Sequence, residues 1–169
     1  MNYVVDLIRR IMHGISPAGN RPPAVSEAPA IVPAAPVETT APPDRIARIA
    51  YFDNLCIKVH PGDIITEGIA HSGVWEEDLS ERIISIGKNS GGLLVDVGAN
   101  VGYFSLLWAA GNPRNRSYAF EASPRIFPML LDTVKRNGLD QRISTFGVAL
   151  SDTAGLHSFV LGREGYLEN

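Results

Sequence analysis

The apolar positions of this chain recur with different periods, and each period predicts an element. Val4, Leu7, Ile8, Ile11 and Met12 stand at helical spacing, so residues 1–14 predict a short helix with one apolar face. Such a face either lies on a membrane surface as a peripheral contact, docks on a folded domain, or belongs to a helix that forms only transiently. Asp6 within the segment, and the lack of a convincing small-residue cleavage site after it, weigh against a signal peptide. Across residues 15–43 the periodicity disappears. Pro17, Pro22, Pro23, Pro29, Pro33, Pro36, Pro42 and Pro43 are interspersed with alanines and no aromatic residue occurs, so this stretch reads as a disordered linker.

Residues 44–169 carry the pattern of a folded domain. Apolar runs from Arg45 to Val59 flank Asp53-Asn54 and predict a hairpin, with Cys56 in its core between Leu55 and Ile57. His60-Pro61-Gly62-Asp63 then breaks the pattern. Glu76 to Gly87 predicts a helix with Leu79, Ile83, Ile84 and Ile86 on its apolar face. Leu93 to Val97 is a short aliphatic run, as expected for a parallel strand buried on both faces. Gly98 to Gly102 is a glycine loop, and Tyr103 to Ala110 is apolar on nearly every side, like a helix packed on a sheet. A second strand, Ser117 to Phe120, leads to Glu121. Ser123 is placed to cap the next helix, with Pro124 at its first position, Ile126, Phe127, Leu130, Leu131 and Val134 as its stripe, and Asn137-Gly138 as its end. A third strand is expected over Ile143 to Leu150, and an outlying fourth over His157 to Leu161. The order is βαβαβ, which predicts an α/β fold with a right-handed parallel sheet.

Composition narrows the function classes. With 169 residues, 45% apolar and 20% charged, the chain belongs to the soluble globular class. No apolar run approaches the roughly 20 residues of a transmembrane segment. A net charge of −3 and scattered Lys and Arg argue against a nucleic-acid partner. The single Cys56 rules out an internal disulfide and fits a cytoplasmic location. His13, His60, His71 and His157 are too dispersed for a local metal motif, so no metal site is expected.

The chemistry concentrates at the glycine loop. Glycine lets a ligand approach the backbone, and the start of the following helix points free N–H groups at the same spot. Glu121 ends the neighbouring parallel strand and is expected beside that loop, where a carboxylate can accept hydrogen bonds from both hydroxyls of a ribose. The plainer reading of Glu121 is a solvated residue at a strand end. A dinucleotide loop requires G-x-G-x-x-G; here Asn100 takes the second glycine position and the third glycine is missing.

Val95-Asp96-Val97-Gly98-Ala99-Asn100-Val101-Gly102-Tyr103-Phe104-Ser105 resembles the first motif of FkbM-type methyltransferases. Phe120-Glu121-Ala122-Ser123-Pro124, Asn137-Gly138-Leu139 and Ala149-Leu150-Ser151-Asp152 follow in that family's order, and the resemblance covers about residues 72–161. It implies a Rossmann-like class I methyltransferase fold and S-adenosylmethionine as cofactor. By the same resemblance, Gly98, Ala99, Asn100 and Gly102 hold the methionine part, Asp96 helps orient it, and Glu121, with Ala122 beside it, binds the ribose. The adenine is then expected near Val148 to Asp152, including Ala149. Trp75-Glu76 resembles the family's aromatic-acidic pair, though packing of a tryptophan is the simpler account.

The family continues with a further strand bearing Lys-x-Asp-x-Glu-Gly, and that pattern does not occur before Asn169. The expectation is therefore a cofactor-binding half with an incomplete sheet. The catalytic base is unassigned, the chain alone is expected to be inactive, and self-association through an open sheet edge is expected. The resemblance points to a small-molecule or glycan acceptor, a hydroxyl on a sugar, glycolipid or polyketide. Two other readings stay open: a non-catalytic or truncated nucleoside-binding module, and an NAD-dependent oxidoreductase.

Overall fold

A computed structural model describes residues 44–89 and 91–153 of the chain. The helix expected over residues 1–14, the linker over 15–43 and the strand expected over His157 to Leu161 lie outside the described residues. Asp44 to Leu150 belong to one compact unit, whereas Ser151 to Thr153 belong to another.

The first unit opens with a hairpin, β1 (Ile46–Arg48) and β2 (Cys56–Lys58), paired antiparallel with Ile46 opposite Lys58. Asp53-Asn54 lies in its loop as expected. Side-chain alternation buries Leu55, Ile57 and Val59. Cys56 therefore faces the other way and is half-buried rather than in the core.

The break at His60 to Asp63 is the start of a helix that periodicity did not reveal. Asp63 caps α1 (Ile64–Ser72), its side chain accepting from the Thr66 amide at 2.8 Å. α2 (Glu77–Asn89) follows close to the expected span. Its packed face differs from the expected one: Ser80, Ile84 and Gly87 are buried, while Leu79 and Ile86 are exposed. At Gly87 the neighbouring helix comes so near that an added Cβ would sit 3.2 Å from the Trp108 ring. Gly87 stands at this contact because a larger side chain there would not permit such an approach.

The sheet consists of β3 (Leu93–Val97), β4 (Arg116–Phe120) and β5 (Ile143–Phe146), parallel and in that order. α3 (Tyr103–Gly111) connects β3 to β4, and α4 (Phe127–Arg136) connects β4 to β5. The third strand is shorter than expected, ending at Phe146 before Gly147. α4 begins at Phe127 rather than Pro124. Ser123 still serves its start, its carbonyl accepting from Ile126 at 3.1 Å and from Phe127 at 2.9 Å, and Leu131 is exposed. Leu106, Leu107 and Leu130 are fully buried, each contributing about 1.5–3 kcal/mol relative to exposure.

β3 is not buried on both faces. Leu93 is 38% exposed and Val97 59%, because among the described residues β3 pairs only with β4. Ser117 meets α3 through Ser105, so alternation sends Tyr118 and Phe120 to the opposite face, where Phe120 stacks on Phe146 at 4.8 Å. Two polar side chains join the pieces. Asn137 pairs with the backbone of Cys56 in both directions, at 2.9 and 2.8 Å, as a neighbouring strand would. Asn115, fully buried, donates to Trp108 and Gly87 carbonyls and accepts from Gly92.

Candidate functional site

The carboxyl ends of β3 and β4 meet at the glycine loop. Gly98 and Ala99 both donate their amides to the Phe120 carbonyl at 2.9 Å, which draws the loop onto the end of β4. Gly98, Asn100 and Gly102 all have positive φ, at 78°, 50° and 86°. Asn tolerates this region better than most residues because its side chain bonds the local backbone, and here Asn100 Oδ1 accepts from the Val101 amide at 2.8 Å. Asparagine at the second glycine position is thus compatible with a tight loop.

The two glycines serve different ends. An added Cβ at Gly98 would meet nothing within 4 Å, so its surroundings are open for a ligand. At Gly102 it would lie 2.6 Å from Leu130 Cδ1. Gly102 is therefore required by the packing of α4, and the space beside it is already filled.

Glu121 is 8% exposed, which excludes a solvated strand-end side chain. Its Oε2 accepts from the Asn100 amide at 2.9 Å and its Oε1 from the Ser123 amide at 2.8 Å. The carboxylate ties the loop after β3 to the loop after β4. An ionised carboxylate offers about four acceptor positions, so each oxygen keeps one for a ligand hydroxyl.

Asp96 lies on the β3 face that α3 covers. Burial pushes its carboxyl above the usual carboxylate range and nearby Glu121 acts in the same sense, while hydrogen bonds from the Ser105 hydroxyl and backbone oppose the shift. The Ser105 hydroxyl donates to Asp96 Oδ2 at 2.7 Å. Sequence reasoning gave Ser105 no role. The signal was present, since one hydroxyl in an otherwise apolar buried helix must find a polar partner.

Ala99 is buried within the loop and Ala122 is half-buried after Glu121. Val148 and Ala149 are exposed beyond β5, and no hydrogen bond among the described residues links Ala149 to the loop. Ser151 and Asp152 fall in the other unit, where the Ser151 hydroxyl meets Asp152 Oδ1 at 3.2 Å. The structure thus gathers Asp96, Gly98 to Gly102 and Glu121, with Ala122 adjoining, and does not bring Ala149 to them by any bond. Trp75 packs over Gly68, its amide donates to Tyr103 Oη at 3.2 Å, and its carbonyl accepts from Ser80 at 2.6 Å. These are packing contacts. Glu76 is exposed on a shallow acidic depression with Glu77, Asp78 and Leu79. Among the described residues no cluster of His, Cys, Asp and Glu could hold a metal ion, and no helix is long and apolar enough to cross a membrane.

No protein-family model and no curated protein matches the sequence. Among solved structures it is similar to TYW2 of P. horikoshii in complex with MeSAdo, at 20% identity over 56% of this chain and 33% of that one, with a TM-score of 0.43. It is similar to a SAM-dependent methyltransferase from Agrobacterium tumefaciens, at 14% identity over 65% of this chain and 34% of that one, with a TM-score of 0.47. PRMT6 with SAH is similar at 24% identity over 41% of this chain and 20% of that one, with a TM-score of 0.37. The chain spans about a third or less of the length of these proteins. The fold assignment rests on strand order, register and connections: the described residues 44–150 form a Rossmann-like α/β unit with an incomplete, three-stranded parallel sheet.

Proposed function

We propose that the chain carries the cofactor-binding half of an S-adenosylmethionine-dependent methyltransferase of the FkbM type, acting on a hydroxyl of a sugar, glycolipid or polyketide-type acceptor. One observation carries the reading: the buried Glu121 carboxylate stands against the Gly98 to Gly102 loop, with open space over Gly98. The residues fit the cofactor. Glu121 has acceptor positions left for a ribose diol, Gly98 leaves room for close approach, and Asp96 can receive an ammonium group. The match of Val95 to Ser105 to the family's first motif supports the same choice, and the missing third glycine disfavours a dinucleotide.

The bound cofactor supplies an activated methyl group on a sulfonium. Transfer to a hydroxyl would form a C–O bond as the S–CH₃ bond breaks, leaving a neutral thioether on the cofactor and releasing the hydroxyl proton to water. The protein's part is to hold the cofactor rigid so that an acceptor meets the methyl group in line. Photocrosslinking with methyl-labelled S-adenosylmethionine tests the reading. The label should fall on peptides containing Asp96 to Glu121 and be displaced by S-adenosylhomocysteine. No specific labelling, or labelling only elsewhere, would remove the site from this region.

A further inference from the structure

We propose that Ser117 and Ser105 form a hydroxyl relay that fixes the Asp96 carboxylate in the orientation its ligand requires, making Ser105 a positioning residue of the site. The inference rests on the reading of Asp96 and the glycine loop as the place of the cofactor's amino-acid end. In the register of β3 and β4, Leu94 stands opposite Ser117 and Asp96 opposite Ala119. All four therefore share the sheet face that α3 covers. Ser105, in the first turn of α3, lies over them and is fully buried, as is Ser117.

Proton accounting gives the relay a direction. An ionised carboxylate has no proton to give, so the 2.7 Å contact at Asp96 Oδ2 uses the single proton of the Ser105 hydroxyl. In the 2.8 Å contact between Ser105 and Ser117, Ser117 must then be the donor. Each hydroxyl polarises the next toward the carboxylate, which strengthens both bonds where the two serines are fully buried.

A carboxylate left alone turns easily about its terminal torsion, which is broad and two-fold. Held by the Ser105 hydroxyl at Oδ2 and by the Ser105 backbone, the Asp96 group keeps one plane. A ligand ammonium approaching over Gly98 then meets an acceptor already oriented, without the entropy cost of ordering it on binding.

The test compares two ligands in the full chain. S-Adenosylhomocysteine carries the amino-acid end, whereas 5′-methylthioadenosine is the same nucleoside thioether without it. Ser105→Ala should weaken S-adenosylhomocysteine about tenfold, the scale of losing one hydrogen bond to a charged group. Ser117→Ala, which reaches the ligand only through Ser105, should weaken it by a smaller factor in the same direction. Neither should change the affinity for 5′-methylthioadenosine. Should Ser105→Ala fail to fold, the ligand ratio in Ser117→Ala decides the matter. Unchanged S-adenosylhomocysteine affinity, or equal loss of both ligands, would reduce the two serines to core hydrogen bonding and overturn the relay. Wild-type protein that binds neither ligand would overturn the cofactor reading as well.

Discussion

The Glu121 carboxylate accepts the Asn100 amide at 2.9 Å, and through that bond the end of β4 fixes the turn that follows β3. The second oxygen, on the Ser123 amide, does the same for the approach to α4. Each of the two oxygens thus faces an N–H donor, and this arrangement distinguishes a carboxylate from its amide isostere. Glu121→Gln keeps one carbonyl oxygen and sets an NH₂ group against the other donor. We expect it to destabilise the unit by about 1–3 kcal/mol, the cost of a buried donor left unpaired. Chemical denaturation measures this. A variant as stable as wild type would mean that one of the two bonds is absent in solution.

The glycine loop separates strain from packing. Gly98→Ala and Gly102→Ala both place a side chain at positive φ, each costing about 1–2 kcal/mol. Only Gly102→Ala also drives a methyl group into Leu130. It should be the more destabilising of the two, and combining it with Leu130→Ala should cost less than the sum of the single changes. Gly98→Ala should stay folded and lose ligand affinity. Equal melting temperatures for the two single variants would contradict the packing role of Gly102.

Asp96 makes a prediction about pH. Its carboxyl is raised in the folded protein, chiefly by burial. Between the unfolded value and the raised folded value the native state binds more protons, so this group's contribution to stability falls as pH rises through that window, and above it the penalty is constant. Asp96→Asn should therefore be more stable than wild type at neutral pH, with the advantage disappearing as pH falls below the window. Thermal melts of both proteins between pH 3 and 8 measure it. A variant less stable than wild type at neutral pH would show that the Ser105 bond outweighs burial.

The side of β3 that has no strand partner among the described residues should make the chain associate. Leu93 and Val97 are exposed on a strand that has one partner among the described residues, and an open strand edge is a template for pairing. Sedimentation should show species larger than a monomer, and Leu93→Lys with Val97→Lys should shift them toward monomer. A monodisperse wild-type monomer would contradict the edge argument.

The element order from β3 to β5 was legible because each segment carries its own period, and Glu121 could be placed beside the loop because adjacent parallel strands end on one edge of the sheet. α1 was not, since His60 to Asp63 reads as an interruption until Asp63 is seen capping the turn that follows it. The burial of β3 was overestimated because an aliphatic run reports what a strand prefers, while exposure depends on neighbours that periodicity does not supply. The second task of Glu121, binding two backbone amides, could not be read at all. Those amides belong to Asn100 and Ser123, and no side-chain pattern announces which main-chain groups a fold will bring to a carboxylate. Ser105 was legible in principle, as a hydroxyl on an apolar helix, but its partner Asp96 becomes apparent only once α3 lies over the sheet.

Calorimetric titration of the full chain with S-adenosylhomocysteine and, separately, with NAD tests the central claim most directly. The account predicts saturable binding of S-adenosylhomocysteine, weakened by roughly 1–3 kcal/mol in Glu121→Ala, and weak or absent binding of NAD. Tight binding of NAD with no detectable binding of S-adenosylhomocysteine would contradict it.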